Sequence, residues 1–98
     1  MIVLEAEHLN QVQSILQRIV PHYEVWAFGS RVTRRRVKPF SDLDIVLMTD
    51  SPLDISLYGK IKEAFSESDM PIRVDIVDWC LLNDRFKEMI RKEHERIQ

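Results

Sequence analysis

Three short apolar runs rich in β-branched and aromatic residues punctuate this chain, and helix-spaced segments separate them. The runs are Tyr23–Phe28, Asp42–Met48 and Ile72–Val77. Each is too short for an ordinary helix and has the composition of a strand. From Ala6 to Val20 the apolar residues are Leu9, Val12, Ile15, Leu16 and Ile19, in steps of three and four. That spacing gives an amphipathic helix, which Pro21 stops. A second long helix is predicted over Ile55–Glu67, with Ile61, Ala64 and Phe65 inward and Ser68-Asp69-Met70-Pro71 as its breaker. Asn83 can cap a last helix running to about Ile97, with Phe86, Met89 and Ile90 on its buried stripe. The order α-β-α-β-α-β-α predicts a two-layer α/β (α+β) domain, a small mixed three-stranded sheet flanked by helices.

Ninety-eight residues make one domain, spanning 1–98. A domain of this size buries only about two-thirds of the surface its unfolded chain exposes, so a partner subunit is a natural source of further burial. The net charge of −2 argues against a general polyanion binder. Cys80 is the only cysteine, which excludes an internal disulfide framework and suits a reducing, cytoplasmic setting. The first residues lack the positive flank and apolar length of a signal peptide, and no run approaches the roughly 20 apolar residues of a membrane span.

Three features carry chemistry. The first strand runs into Gly29-Ser30 and then a short helix, read as Arg31–Arg35 with Ser30 as its N-cap. Glycine lets the backbone turn sharply and approach a ligand, and the free amides of a helix start favour a phosphate. The second feature is Asp42-Leu43-Asp44, opening an apolar strand. Strand side chains alternate, so both carboxylates share a face and repel unless a cation sits between them. Such hard oxygen ligands suit Mg²⁺. The third is Asp75, set inside Arg73-Val74-Asp75-Ile76-Val77. An acid in an apolar strand needs a partner, either a metal shared with Asp42 and Asp44 or the basic Arg73 on its own face.

In this order, Gly29-Ser30, Ser41-Asp42-Leu43-Asp44-Ile45 and Val74-Asp75 resemble the nucleotidyltransferase superfamily that includes DNA polymerase beta. Trp26-Ala27-Phe28-Gly29-Ser30-Arg31 and the flanking segments through Asp75 are similar, more narrowly, to the minimal nucleotidyltransferase (MNT) family. The resemblance implies a nucleotidyltransferase fold, ATP gripped by Gly29 and Ser30, and two Mg²⁺ ions on Asp42, Asp44 and Asp75 as the catalytic acids. It also implies a HEPN-domain toxin as partner in a hetero-oligomer. This chain would be the antitoxin, transferring AMP to a tyrosine of the toxin. Family members commonly carry glycine a few residues after Gly-Ser, where this chain has Thr33-Arg34-Arg35-Arg36. If that turn takes a positive φ, Arg34 is strained there by about 1 kcal/mol.

Arg31 is read as a triphosphate contact because it adjoins Gly29-Ser30. Arg34, Arg35, Arg36 and Lys38 form a basic cluster suited to a phosphate, to RNA or simply to solvent. His8, His22 and His94 lack metal-ligand spacing, and Trp26 and Trp79 read as packing groups or as walls of a purine pocket. Two rival functions follow from the same residues: a module that neutralises its HEPN partner by binding alone, and an RNA binder using the arginine run.

Overall fold

The computed structural model describes residues 2–98. Helix α1 (Ala6–Ile19) leads to β1 (Val25–Phe28), the short α2 (Ser30–Thr33) and β2 (Leu43–Leu47). Helix α3 (Ile55–Glu67) precedes β3 (Val74–Asp78), a 3₁₀ turn at Trp79–Leu81, α4 (Asp84–Lys92) and β4 (Glu95–Arg96). The sheet runs β3-β2-β1-β4. β1 pairs antiparallel with β2 and β4, and β2 pairs parallel with β3, so the sheet is mixed.

β2 is apolar on both sides because it is central. Leu43, Ile45 and Leu47 are fully buried with Val25, Ala27 and Ile76 beneath α1 and α3, where Val12, Leu16, Ile61 and Phe65 meet them. Val46, on the opposite side, is buried with Phe28 and Ile90, and Trp26, Val77, Trp79 and Phe86 pack around them. Alternation along each strand therefore assigns one face to α1 and α3 and the other to α4.

The C-terminus departs from the expected long helix. α4 ends at Lys92 and the chain adds a fourth strand. The His94 ring stacks on Trp26 at 3.8 Å, and its Nδ1 lies 3.0 Å from the Ile90 carbonyl. Ile97 is buried against the core, and its amide donates to the Val25 carbonyl at 2.9 Å. These tertiary contacts override the helical preference of Glu95 and Arg96. The buried stripe of α4 is narrower than expected, for Ile90 is buried and Met89 is 52% exposed.

The turn after β1 also differs in detail. Gly29, not Ser30, is the N-cap, at φ 80°, and its carbonyl accepts from the Val32 and Thr33 amides. Ser30 is the first helical residue. α2 then closes through Arg34 in the left-handed region at φ 65°, and Arg36 follows at φ 58°. Left-handed backbone disfavours a residue with a Cβ, so the strain expected at position 34 is present.

Arg34→Gly should be more stable than Arg34→Ala by about 1 kcal/mol, because both remove the side chain and only glycine relieves the left-handed backbone. Urea denaturation of the two variants beside the parent measures the difference.

Candidate functional site

The register of the sheet gathers the acids. Asp44 on β2 stands opposite Phe28 on β1 and opposite Asp75 on β3. Partners in register project from the same face, so Asp44 and Asp75 lie side by side on the α4 face, and Asp42 follows two residues before Asp44. Asp42 and Asp75 are exposed, whereas Asp44 is half-buried. Phe28, packed edge-to-face on Phe86 at 5.9 Å, forms the apolar wall beside it.

Burial, then the charges of Asp75 and Asp42, raise the Asp44 carboxyl from 3.8 to about 6. The carboxylates are thus close enough to repel each other through a poorly solvated centre. Among the described residues no ion pair joins Arg73 to Asp75, so the alternative in which Arg73 neutralises this acid is not realised. Nor are the three carboxylates drawn together within 4.8 Å, a spacing met among the described residues by exposed Glu5 and Glu7 with His8. Two-cation sites are wider, with the ions themselves roughly 3.5 to 4 Å apart.

The Gly29-Ser30 turn meets this cluster directly. A Cβ at Gly29 would lie 3.2 Å from Asp44 Cγ and collide with the carboxylate oxygen beyond it. Glycine is therefore required twice here, for its positive φ and for the close approach of β1's end to Asp44. The amides of Val32 and Thr33 are spent on the Gly29 carbonyl, while those of Ser30 and Arg31 precede the first helical bond. Beside the turn opens a hollow of about 200 Å³ lined by Phe28, Gly29, Ser30, Thr33, Arg35 and residues of α4.

Arg31 points elsewhere. Its side chain is 5% exposed. Nε donates to the Ser41 carbonyl at 2.9 Å, Nη1 to Val3 at 2.7 Å and Nη2 to Pro39 at 3.0 Å. Adjacency to Ser30 in sequence suggested a triphosphate contact, but a helical step swings the next side chain about 100° away. The basic residue lining the hollow is instead Arg35, paired with Glu93 at the C-cap of α4. Sequence reading grouped Arg35 with its basic neighbours and had no signal for Glu93. Trp26 and Trp79 meet edge-to-face at 5.6 Å, and Trp26 is covered by His94, so this pair packs the α4 layer.

The raised Asp44 carboxyl sets a sign for stability. A group that binds its proton more tightly folded than unfolded stabilises the fold below 3.8, and that contribution is lost as pH rises through about 6. In metal-free buffer, Asp44→Asn should match the parent in acid and be more stable above neutrality, by roughly 1 kcal/mol once solvent screening of a half-buried site is allowed for. Denaturation midpoints measured across that range test it, and a variant less stable at pH 8 would make Asp44 a structural acid.

Comparison with known proteins fits this geometry. A 48% identical relative over 95 residues, covering 97% of this chain and 82% of the relative, is "Probable protein adenylyltransferase MntA" of Haemophilus influenzae. A crystal structure described as the toxin-antitoxin with AMP-PNP has a similar fold, with a TM-score of 0.72 at 19% identity over 92% of this chain and 72% of that one. A crystal structure of the toxin-antitoxin MntA-HepT gives a TM-score of 0.62 at 18% identity over 96% and 72%. The family described as "Polymerase beta, Nucleotidyltransferase" matches residues 10–98, and this chain belongs to it.

Proposed function

We propose that this chain is an adenylyltransferase that moves AMP from ATP to a tyrosine hydroxyl of a HEPN-type toxin, acting as its antitoxin in the cytoplasm. The observation that carries the reading is the register of Asp44 with Asp75 beside a glycine turn that admits no Cβ. The MntA relative supports the activity by its name. The toxin-antitoxin structure with AMP-PNP supports an adenine nucleotide and a toxin partner.

The donor set fits divalent cations. All three side chains offer carboxylate oxygens, two are solvent-accessible, and the third is raised first by burial and then by the charges of Asp75 and Asp42. Asp42, Asp44 and Asp75 would hold two Mg²⁺ ions, whose bound charge would neutralise the acids and the phosphoryl oxygens.

The chain's own residues do the rest. The free amides of the Gly29-Ser30 turn and the Ser30 hydroxyl receive phosphoryl oxygens, which fixes the nucleotide's tail over β2. Arg35 lines the same hollow and adds positive charge. The acceptor's tyrosine oxygen attacks the α-phosphorus, the bond to the bridging oxygen breaks, and pyrophosphate leaves. Asp75 takes the phenolic proton. Its strand is the edge of the sheet and its side chain is exposed, so a second protein can reach it without entering the core.

Incubation with α-labelled ATP, Mg²⁺ and the HEPN partner should label the partner on tyrosine. Tight complex formation without label would instead support neutralisation by binding alone. Asp42→Asn and Asp44→Asn should each abolish Mg²⁺-dependent labelling, by about a hundredfold or more, in proteins that remain folded by circular dichroism. Unfolding of either variant would remove these acids from the catalytic assignment.

A further inference from the structure

We infer that Arg31 is a positioning residue, whose buried guanidinium fixes the loop carrying Asp42 against the Gly29-Ser30 turn and so sets the metal–phosphate geometry. The inference rests on the nucleotidyl-transfer reading and adds a residue that acts through others.

Arg31 leaves the turn one residue after Ser30, so its backbone is rigid with the phosphate-receiving segment. Its fork then binds the Pro39 and Ser41 carbonyls, the second of which immediately precedes Asp42. Among the described residues, few other bonds define the loop before Leu43 enters the sheet. Phe40 is 76% exposed, and the local bonds are Ser41 N to the Lys38 carbonyl at 3.1 Å and Lys38 N to Ser41 Oγ at 2.9 Å. Asp42 itself lies outside β2 and is held by no sheet pairing. Asp42 therefore sits between two anchors: the Leu43 amide, which donates to the Arg73 carbonyl at 2.9 Å, and the loop carbonyls that Arg31 binds, and it is the loop side that the arginine fixes.

The third arm reaches the N-terminal segment. Nη1 donates to the Val3 carbonyl, and the Val3 amide donates back to the Arg31 carbonyl at 2.7 Å. That reciprocal pair anchors the arginine from behind, leaving Nε and Nη2 aimed at the loop. Three carbonyls at fixed angles match the planar guanidinium fork, which a lysine ammonium cannot reproduce.

The test uses the full chain with Mn²⁺ as probe, its binding followed by electron paramagnetic resonance in the presence and absence of ATP. Labelling kinetics on the HEPN partner are measured in parallel, and both are scaled to the folded fraction. Arg31→Lys should weaken Mn²⁺ binding and lower kcat by about tenfold, as loss of a group orienting a metal ligand does, while KM for ATP at saturating metal stays within about threefold. Ser41→Gly, which loosens the same loop without touching the buried arginine, should shift both in the same direction and serves if Arg31→Lys fails to fold.

A tenfold rise in KM for ATP with Mn²⁺ affinity intact would overturn the inference and return Arg31 to direct triphosphate contact. Unchanged Mn²⁺ affinity and kcat per folded molecule, with only a lower melting temperature, would make the arginine purely structural. A parent chain that binds Mn²⁺ but labels nothing would defeat the proposed reaction and still leave the Mn²⁺ comparison to judge Arg31. A parent chain that binds no Mn²⁺ with or without ATP would defeat both.

Discussion

Asp44 occupies the place in this sheet where negative charge is least tolerated. It lies on a central strand, walled by Phe28, with a second carboxylate directly across the register. Its carboxyl is raised to about 6 by burial and by its acidic neighbours. Local stability would be better served by an uncharged side chain. What the arrangement provides is a demand for positive charge, which in the proposed reaction cations arriving with a triphosphate would meet. The turn at Gly29 is shaped around the same side chain, since any Cβ there would displace the carboxylate. The Gly29-Ser30 turn and the acid cluster are thus one object, joined by a single close approach between β1 and β2.

A fold of 98 residues can carry such a site because its burden is local. The opposite side of β2 is fully apolar, with Leu43, Ile45 and Leu47 sealed under α1 and α3. The unfavourable features collect on and around the other face: positive φ at Gly29, Arg34 and Arg36, and three acids that no salt bridge among the described residues neutralises. Strain at Arg34 and Arg36 follows from ending α2 abruptly without glycine, and the turn still closes through the Arg34 amide on the Ser30 carbonyl at 2.8 Å. Arginine at position 34 therefore takes a left-handed backbone that disfavours a Cβ without opening the turn.

What was legible in the sequence was local and periodic. Alternation within Asp42-Leu43-Asp44 fixed the shared face of two acids, and helical spacing located α1 and α3 to within about two residues. The pairing of Asp44 with Asp75 required knowing that β2 and β3 are neighbours, which strand composition cannot supply. The β4 strand is invisible in the sequence because Glu95 and Arg96 are ordinary helix formers; tertiary contacts such as the stacking of His94 on Trp26, the Ile2 amide on Glu95 and the burial of Ile97 draw them into the sheet. Arg31 was misdirected for a related reason. Neighbourhood along the chain does not fix where a side chain reaches, and its carbonyl partners lie at positions 3, 39 and 41.

The position of Asp75 on an edge strand bears on how a chain with so little surface could serve a protein acceptor. β3 pairs only with β2, and Asp75 is exposed where Asp44 is half-buried. Two carboxylates in register thus occupy unequal environments. The inner one is desolvated and sits against the Gly29-Ser30 turn; the outer one faces solvent, where a hydroxyl could approach. Environments that differ across one register pair separate the roles of otherwise identical side chains. In the proposed reaction the donor nucleotide would be held from the β1 side and the acceptor admitted from the β3 side. The in-line geometry of transfer would then follow from the strand order itself, with no second domain needed to impose it.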